Sequence, residues 1–160
     1  MQKQVKNMIY FDTDYMAGAH PKVMERLLQT NSEQTVGYGS DEYTARAKEL
    51  VKKATAPLGE RYAALLDEAY ANNWMDVYEN KGKTTGAFSC GVFGVPPYVL
   101  LNYTDTLDDA FTMAHELGHA MHSYFSERNQ PQEKADYKIF VAEVASTVNE
   151  VLLLKHLMKT

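Results

Sequence analysis

Two histidines, His115 and His119, stand four residues apart in "TMAHELGHAMHSY" (residues 112–124), with Glu116 directly after the first. In a helix, positions i and i+4 share one face a turn apart. Both imidazoles can therefore present a nitrogen to a single ion, each at about 2.0–2.1 Å. Glu116 is turned by about 100° from His115, so its carboxylate can reach a water on that ion without binding the ion itself. Neutral imidazoles, a carboxylate and an open position suit Zn²⁺, which lowers the pKa of its water towards about 7. The chemistry this spacing suits is activation of a water held on the ion.

HExxH alone is a weak pattern and requires a third ligand from another element. The downstream carboxylates are Glu127, Glu133, Asp136, Glu143 and Glu150. Glu127 follows His119 by eight residues on the same helix, about 12 Å along its axis, and cannot bend back. Glu133 and Asp136 fall in a connecting segment. Glu143 is a charge among Ile139, Phe140, Val141, Val144 and Val148, and burying it is costly unless it is paired or binds a metal. A helix returning antiparallel to the first would bring it to the ion, completing a His115, His119, Glu143 set. Glu150, seven residues later, shares the face of Glu143. It is either an acceptor that fixes the His115 tautomer or a solvated glutamate. His122 reads as a helix-face or supporting residue, His156 as a surface residue near a helix end, and His20 as a loop or cap residue.

The elements that must position these groups are mostly helical. Pro21 opens a short helix through "KVMERLLQTN". After the loop "TVGYGSDEY", Ser40 or Asp41 can cap a helix from about Tyr43 to Pro57. A second helix follows, with Leu58, Tyr62, Leu65, Leu66, Ala69 and Tyr70 on one side, ending at Asn72-Asn73. "WMDVYENKGKTTGAFSCGVFG" is aromatic, β-branched and glycine-rich, with "NKGK" as a turn between two short strands. "PYVLLNY" is the best strand, and Pro96-Pro97 at its start suits a sheet edge. "TLDDAFTMAHELGHAMHSYFSER" is a helix capped by Thr106 or Asp108, "NQPQEKAD" is a break, and "YKIFVAEVASTVNEVLLLKHLMK" is a long apolar helix. The fold class expected is α+β, mostly helical.

Composition narrows the partners. The 160 residues suit one modest domain. The net charge of -5, without a lysine or arginine block, argues against nucleic acid or an anionic membrane. The N-terminus lacks the apolar run of a secretory signal, and no stretch approaches the roughly 18 apolar residues of a membrane span. The single cysteine, Cys90, rules out an internal disulfide and reads as a small buried side chain; a cytoplasmic location is expected.

From about Glu49 the chain closely resembles oligoendopeptidase F, a bacterial branch of the thimet-oligopeptidase family of zinc peptidases. The resemblance is carried by "APLGERYAALLDEAYANNWMDVYENKGKTTGAFSCGVFGVPPYVLLNYTDTLDDAFTMAHELGHAMHSYFSERNQP" and "ADYKIFVAEVASTVNE". It implies a zincin-like core with a small sheet edge beside the HExxH helix, Zn²⁺ on His115, His119 and Glu143, Glu116 as base, and internal hydrolysis of short peptides. It also implies that the strand Tyr98, Val99, Leu100, Leu101, Asn102 and Tyr103 is the edge along which an extended peptide lies.

Residues 1–48 are similar instead to the start of pyridoxal-phosphate-dependent β-eliminating lyases and threonine aldolases; nothing matches the Schiff-base lysine of those enzymes. The chain therefore reads as a fusion of an incomplete lyase-like segment (1–48) and a truncated peptidase core (49–160). Tyr10, Tyr15 and Tyr38 are expected to be packing residues. The resemblance further implies that later helices, carrying a tyrosine and a histidine for the tetrahedral intermediate, are missing, which would impair hydrolysis. The competing expectations are an inactive zinc-binding fragment and a pyridoxal-phosphate lyase or aldolase fragment. The long C-terminal helix is apolar on most sides, so self-association is expected where it lacks cover.

Overall fold

In the computed structural model of the chain, the described residues are Glu25 and residues 42–159. Two compact units are distinguished, Met1–Thr35 and Val36–Thr160, and the architecture below is that of the second. Of the helix expected after Pro21 only Glu25 is described, and it is helical and exposed. His20, Tyr10, Tyr15, Tyr38 and the caps Ser40 and Asp41 lie outside the described residues.

Helix α1 (Glu42–Ala54) buries Ala47 and Val51 and runs without a break through residues 48 and 49. A 3₁₀ turn, Ala56–Leu58, holds Pro57 in its first positions, and Gly59 leads into α2 (Glu60–Ala71). Proline thus opens the 3₁₀ turn rather than α2, which leaves Leu58 exposed instead of on the buried face with Leu65, Leu66 and Ala69.

Three strands follow: β1 (Met75–Tyr78), β2 (Phe88–Cys90) and β3 (Tyr98–Tyr103). Their order is β1-β3-β2, with β3 parallel to β1 and antiparallel to β2. The strands on either side of "NKGK" therefore do not pair with each other. The expected edge position of "YVLLNY" is also corrected: it is the central strand. Val99 and Leu100 pair with Met75 and Asp76 on one side and with Ser89 and Phe88 on the other. Pro96 and Pro97 precede the first paired residue, so the missing amides cost the ladder nothing. Val99, Leu101 and Tyr103 alternate into the core, the period-two signature of a sheet with one buried face. Cys90 is exposed at the end of β2, a further correction, because β2 is a short outer strand with little to cover it.

Helix α3 (Leu107–Asn129) carries the HExxH residues. Thr106 Oγ1 accepts the Asp109 amide at 3.1 Å, while Asp109 Oδ2 accepts the Thr106 amide at 3.0 Å. This reciprocal capping box satisfies two otherwise orphaned donors. Met113, Ala114, Leu117 and Ala120 are fully buried against the sheet and α1. A short α4 (Gln132–Ala135) interrupts the expected break, and α5 (Ile139–Leu157) closes the described chain. The unit is α+β, mostly helical, with its core between the sheet, α1, α2 and α3.

Candidate metal centre

Helices α3 and α5 are antiparallel neighbours. Positions 114 and 115 of α3 meet 149 and 150 of α5, and one turn further on 118 and 119 meet the earlier positions 146 and 143. Their approach is unusually close. A Cβ on Gly118 would stand 2.6 Å from Ser146 Cα and 2.9 Å from Ala145 O. Both are backbone atoms that cannot step aside, so only glycine fits between the two histidines. The facing residues of α5, Ala142, Ser146 and Asn149, are small or polar and buried. Asn149 fixes the axial register: its Nδ2 donates to Ala114 O at 2.9 Å, and Tyr62 OH from α2 donates to its Oδ1 at 3.0 Å. Burial pushes the Tyr62 phenol up to about 12, only partly offset by Asn149, so it stays protonated and able to donate.

This register gathers three groups. His115 Nε2 lies 3.0 Å from His119 Nε2 and 3.4 Å from Glu143 Oε2, and His119 Nε2 lies 3.7 Å from Glu143 Oε1. Among the described residues these three form the one cluster with the spacing of a metal site. Two ligands each about 2.0–2.1 Å from a tetrahedral ion stand about 3.3 Å apart, and the three separations bracket that value. Glu150 Oε1 lies 2.7 Å from His115 Nδ1. A carboxylate there draws the ring proton to Nδ1, so the Nε2 lone pair faces His119 and Glu143. Two imidazole nitrogens and a carboxylate oxygen converging on one point are a donor set that fits a cation.

Glu116 is 7% exposed, and its Oε2 is buried without a hydrogen-bond partner. Burial raises its pKa, the charge of His115 opposes this, and Glu143 adds to the rise. Burial lowers the pKa of His119, with His115 as the next cause. His122 is also lowered by burial and stacks on Tyr137, ring centroids 3.9 Å apart. It is a packing residue on the flank of the site. Ser146 Oγ lies 3.1 Å from Glu143 Oε2.

Glu143 stands beside the two histidines, but the burial expected of it is not found. Ile139, Phe140, Val141, Val144 and Val148 are exposed, and the Glu143 side chain is itself half exposed. It reaches the histidines because α5 turns its small residues, not its large apolar ones, towards α3. Gly118, Ser146, Asn149 and Tyr62 were not singled out from the sequence. The available signal was the run Ala142, Ser146, Asn149 at helical spacing beside a glycine within HExxH.

A cleft of about 590 Å³ opens beside His119, lined by Ser89, Gly91 and Phe93 on the β2 side and by Ser123, Glu127 and Tyr137 opposite. The strand bordering this cleft is β2. Residues 98–103, expected to line a peptide-binding edge, do not border it.

Known proteins share this arrangement of sequence and fold. The chain is 51% identical over 112 residues to Oligopeptidase PepF of Bacillus subtilis (strain 168), covering 70% of this chain and 17% of that protein. It is 41% identical over 128 residues to Group B oligopeptidase PepB of Streptococcus agalactiae serotype III, covering 80% of this chain and 21% of that one. A crystal structure from Chlamydophila abortus, described as that of a peptidase, superposes with a TM-score of 0.70 at 45% identity, covering 79% of this chain and 21% of the other. The chain thus spans about a fifth of the length of these relatives. The profile of peptidase family M3 matches residues 20–160, beginning inside the segment set apart above as lyase-like. With a matching profile over most of its length and close relatives on both sequence and fold, the chain belongs to peptidase family M3.

Proposed function

We propose that this chain is the catalytic core of a zinc-dependent endopeptidase acting on short peptides, in the cytoplasm. One observation carries the reading: two imidazole nitrogens and a carboxylate converge from two helices beside an open cleft. Relatives named as oligopeptidases support short peptides as the substrate class.

His115, His119 and Glu143 would hold the ion. When bound, Zn²⁺ supplies a Lewis acid that polarises the scissile carbonyl and makes water a stronger nucleophile. Glu116, with one oxygen buried and unengaged, takes the proton of the attacking water and passes it to the leaving amide nitrogen. Glu150 keeps the His115 proton on Nδ1 and thereby its lone pair on the metal side. The outer edge of β2 is unpaired among the described residues, so β2 rather than β3 is the strand an extended peptide would extend.

Glu116→Gln tests the reading. The amide is nearly isosteric but cannot accept the proton, so zinc content should be retained while cleavage of a quenched-fluorescence peptide falls to background. Undiminished turnover in Glu116→Gln would assign the base elsewhere. Zinc binding without any turnover in the unaltered chain would favour the inactive metal-binding reading.

A further inference from the structure

Glu127 cannot reach the metal cluster, yet it lines the same cleft. It sits half-buried on α3, two turns beyond His119, and its Oε2 accepts the Gly94 amide at 3.3 Å. Close by, the chain leaves β2 at Gly91, where an added Cβ would stand 2.9 Å from Ser123 Cβ and 3.0 Å from Glu127 Oε1. Glycine is therefore required for the β2 end to lie against α3 at this height. Residues 91–97 carry Val92, Phe93 and Val95, all exposed, and Phe93 lines the cleft. Among the described residues Glu127 has no cationic partner. The ordered contact of its carboxylate is a backbone amide of this loop.

We propose that Glu127 is a positioning residue: it braces the 91–97 loop onto α3 and so holds Phe93 as a fixed wall of the cleft, against the peptide seated beside His119. The inference rests on the peptidase reading of the site. A loop with two glycines has much freedom to lose, and a peptide that must order it on binding does so at the expense of affinity. The Gly94–Glu127 bond places part of that ordering in the free protein. Its removal acts on peptide binding and leaves the metal ligands and Glu116 in place.

The test uses the zinc-loaded chain with Glu127→Ala and Glu127→Gln. Glu127→Ala should raise KM for a peptide about fivefold, the scale of one hydrogen bond, with kcat and zinc content nearly unchanged. Hydrogen exchange at the Gly94 amide should quicken in the same variant. Glu127→Gln keeps an acceptor oxygen at the same reach and should restore most of both. If Gln and Ala raise KM equally, the charge acts on the peptide directly and the brace is overturned. Faster Gly94 exchange with unchanged KM would overturn the contact between loop and peptide. Should the unaltered chain cleave no peptide while Gly94 exchange still follows the variants, the peptidase reading falls and the brace itself stands.

Discussion

His115 is held from two sides at once, by Glu150 at Nδ1 and by the His119 and Glu143 pair at Nε2. Its tautomer is thus set by a residue seven positions from the third candidate ligand, and spacing alone left two readings of Glu150 open. The choice between them depends on the axial register of α5 against α3. That register is set by Asn149 and by the close approach at Gly118, neither of which announces itself as a metal-site residue. Removing the acceptor frees the His115 ring to rotate or change tautomer. Glu150→Ala should weaken zinc binding about 10–100-fold, and Glu150→Gln, which still accepts, by less. Chelator competition on the folded chain measures this; equal affinity in all three proteins would make Glu150 a solvated bystander.

At the scale of elements, the helices were readable because their periodicity, caps and breakers agree. Thr106 as cap, the helix through HExxH and the long final helix all appear as expected. The sheet was less readable. Strand order is a property of long-range pairing, and proline at the start of "YVLLNY" excludes an interior position only if it falls within the ladder, which it does not. The final helix misled in another way. Most of its large apolar residues are exposed, and beside the histidines its buried positions are alanine, serine and asparagine; only Leu153, near its end, is a large apolar residue that is fully buried.

The capping box that starts α3 gives a pH-dependent prediction. Burial tends to raise the Asp109 pKa, but hydrogen bonds from the backbone and hydroxyls of Thr106 and Thr104 more than offset it, and the net shift is downward. A carboxyl whose pKa is lower folded than unfolded contributes stability that is complete above the unfolded value of about 3.9 and is lost as pH falls through the folded one. Asp109→Asn should therefore lower stability at neutral pH by about 0.3–1 kcal/mol, the scale of an acid in a first helical turn, with the difference from the unaltered chain shrinking below about pH 4. Denaturant unfolding at several pH values, metal-free, measures it. A deficit that does not change with pH would show that the carboxylate's charge is not what caps the helix.

At the largest scale, the described residues present an apolar surface of their own. Phe140, Val144, Val148, Val151 and Leu154 along α5, and Met158 at its C-cap, recur at helical spacing and are all exposed, Phe140 at 78%. They lie opposite the face packed on α3. Soluble monomers rarely expose contiguous apolar patches beyond a few hundred Å², so the purified chain should self-associate, and the double substitution Phe140→Glu, Val144→Glu should shift light scattering towards the monomer. A clean monomer in the unaltered chain at tens of micromolar would contradict this.

The composition pointed to such a surface only in general, since a helix apolar on most sides does not show which side is covered. What the two helices bring together is the proposed metal centre, and the measurement closest to that claim is zinc titration of the purified chain beside Glu143→Ala and Glu127→Ala. The account predicts one equivalent bound by the unaltered chain and by Glu127→Ala, and a large loss of affinity in Glu143→Ala. Equal retention of zinc in Glu143→Ala and the unaltered chain would contradict it.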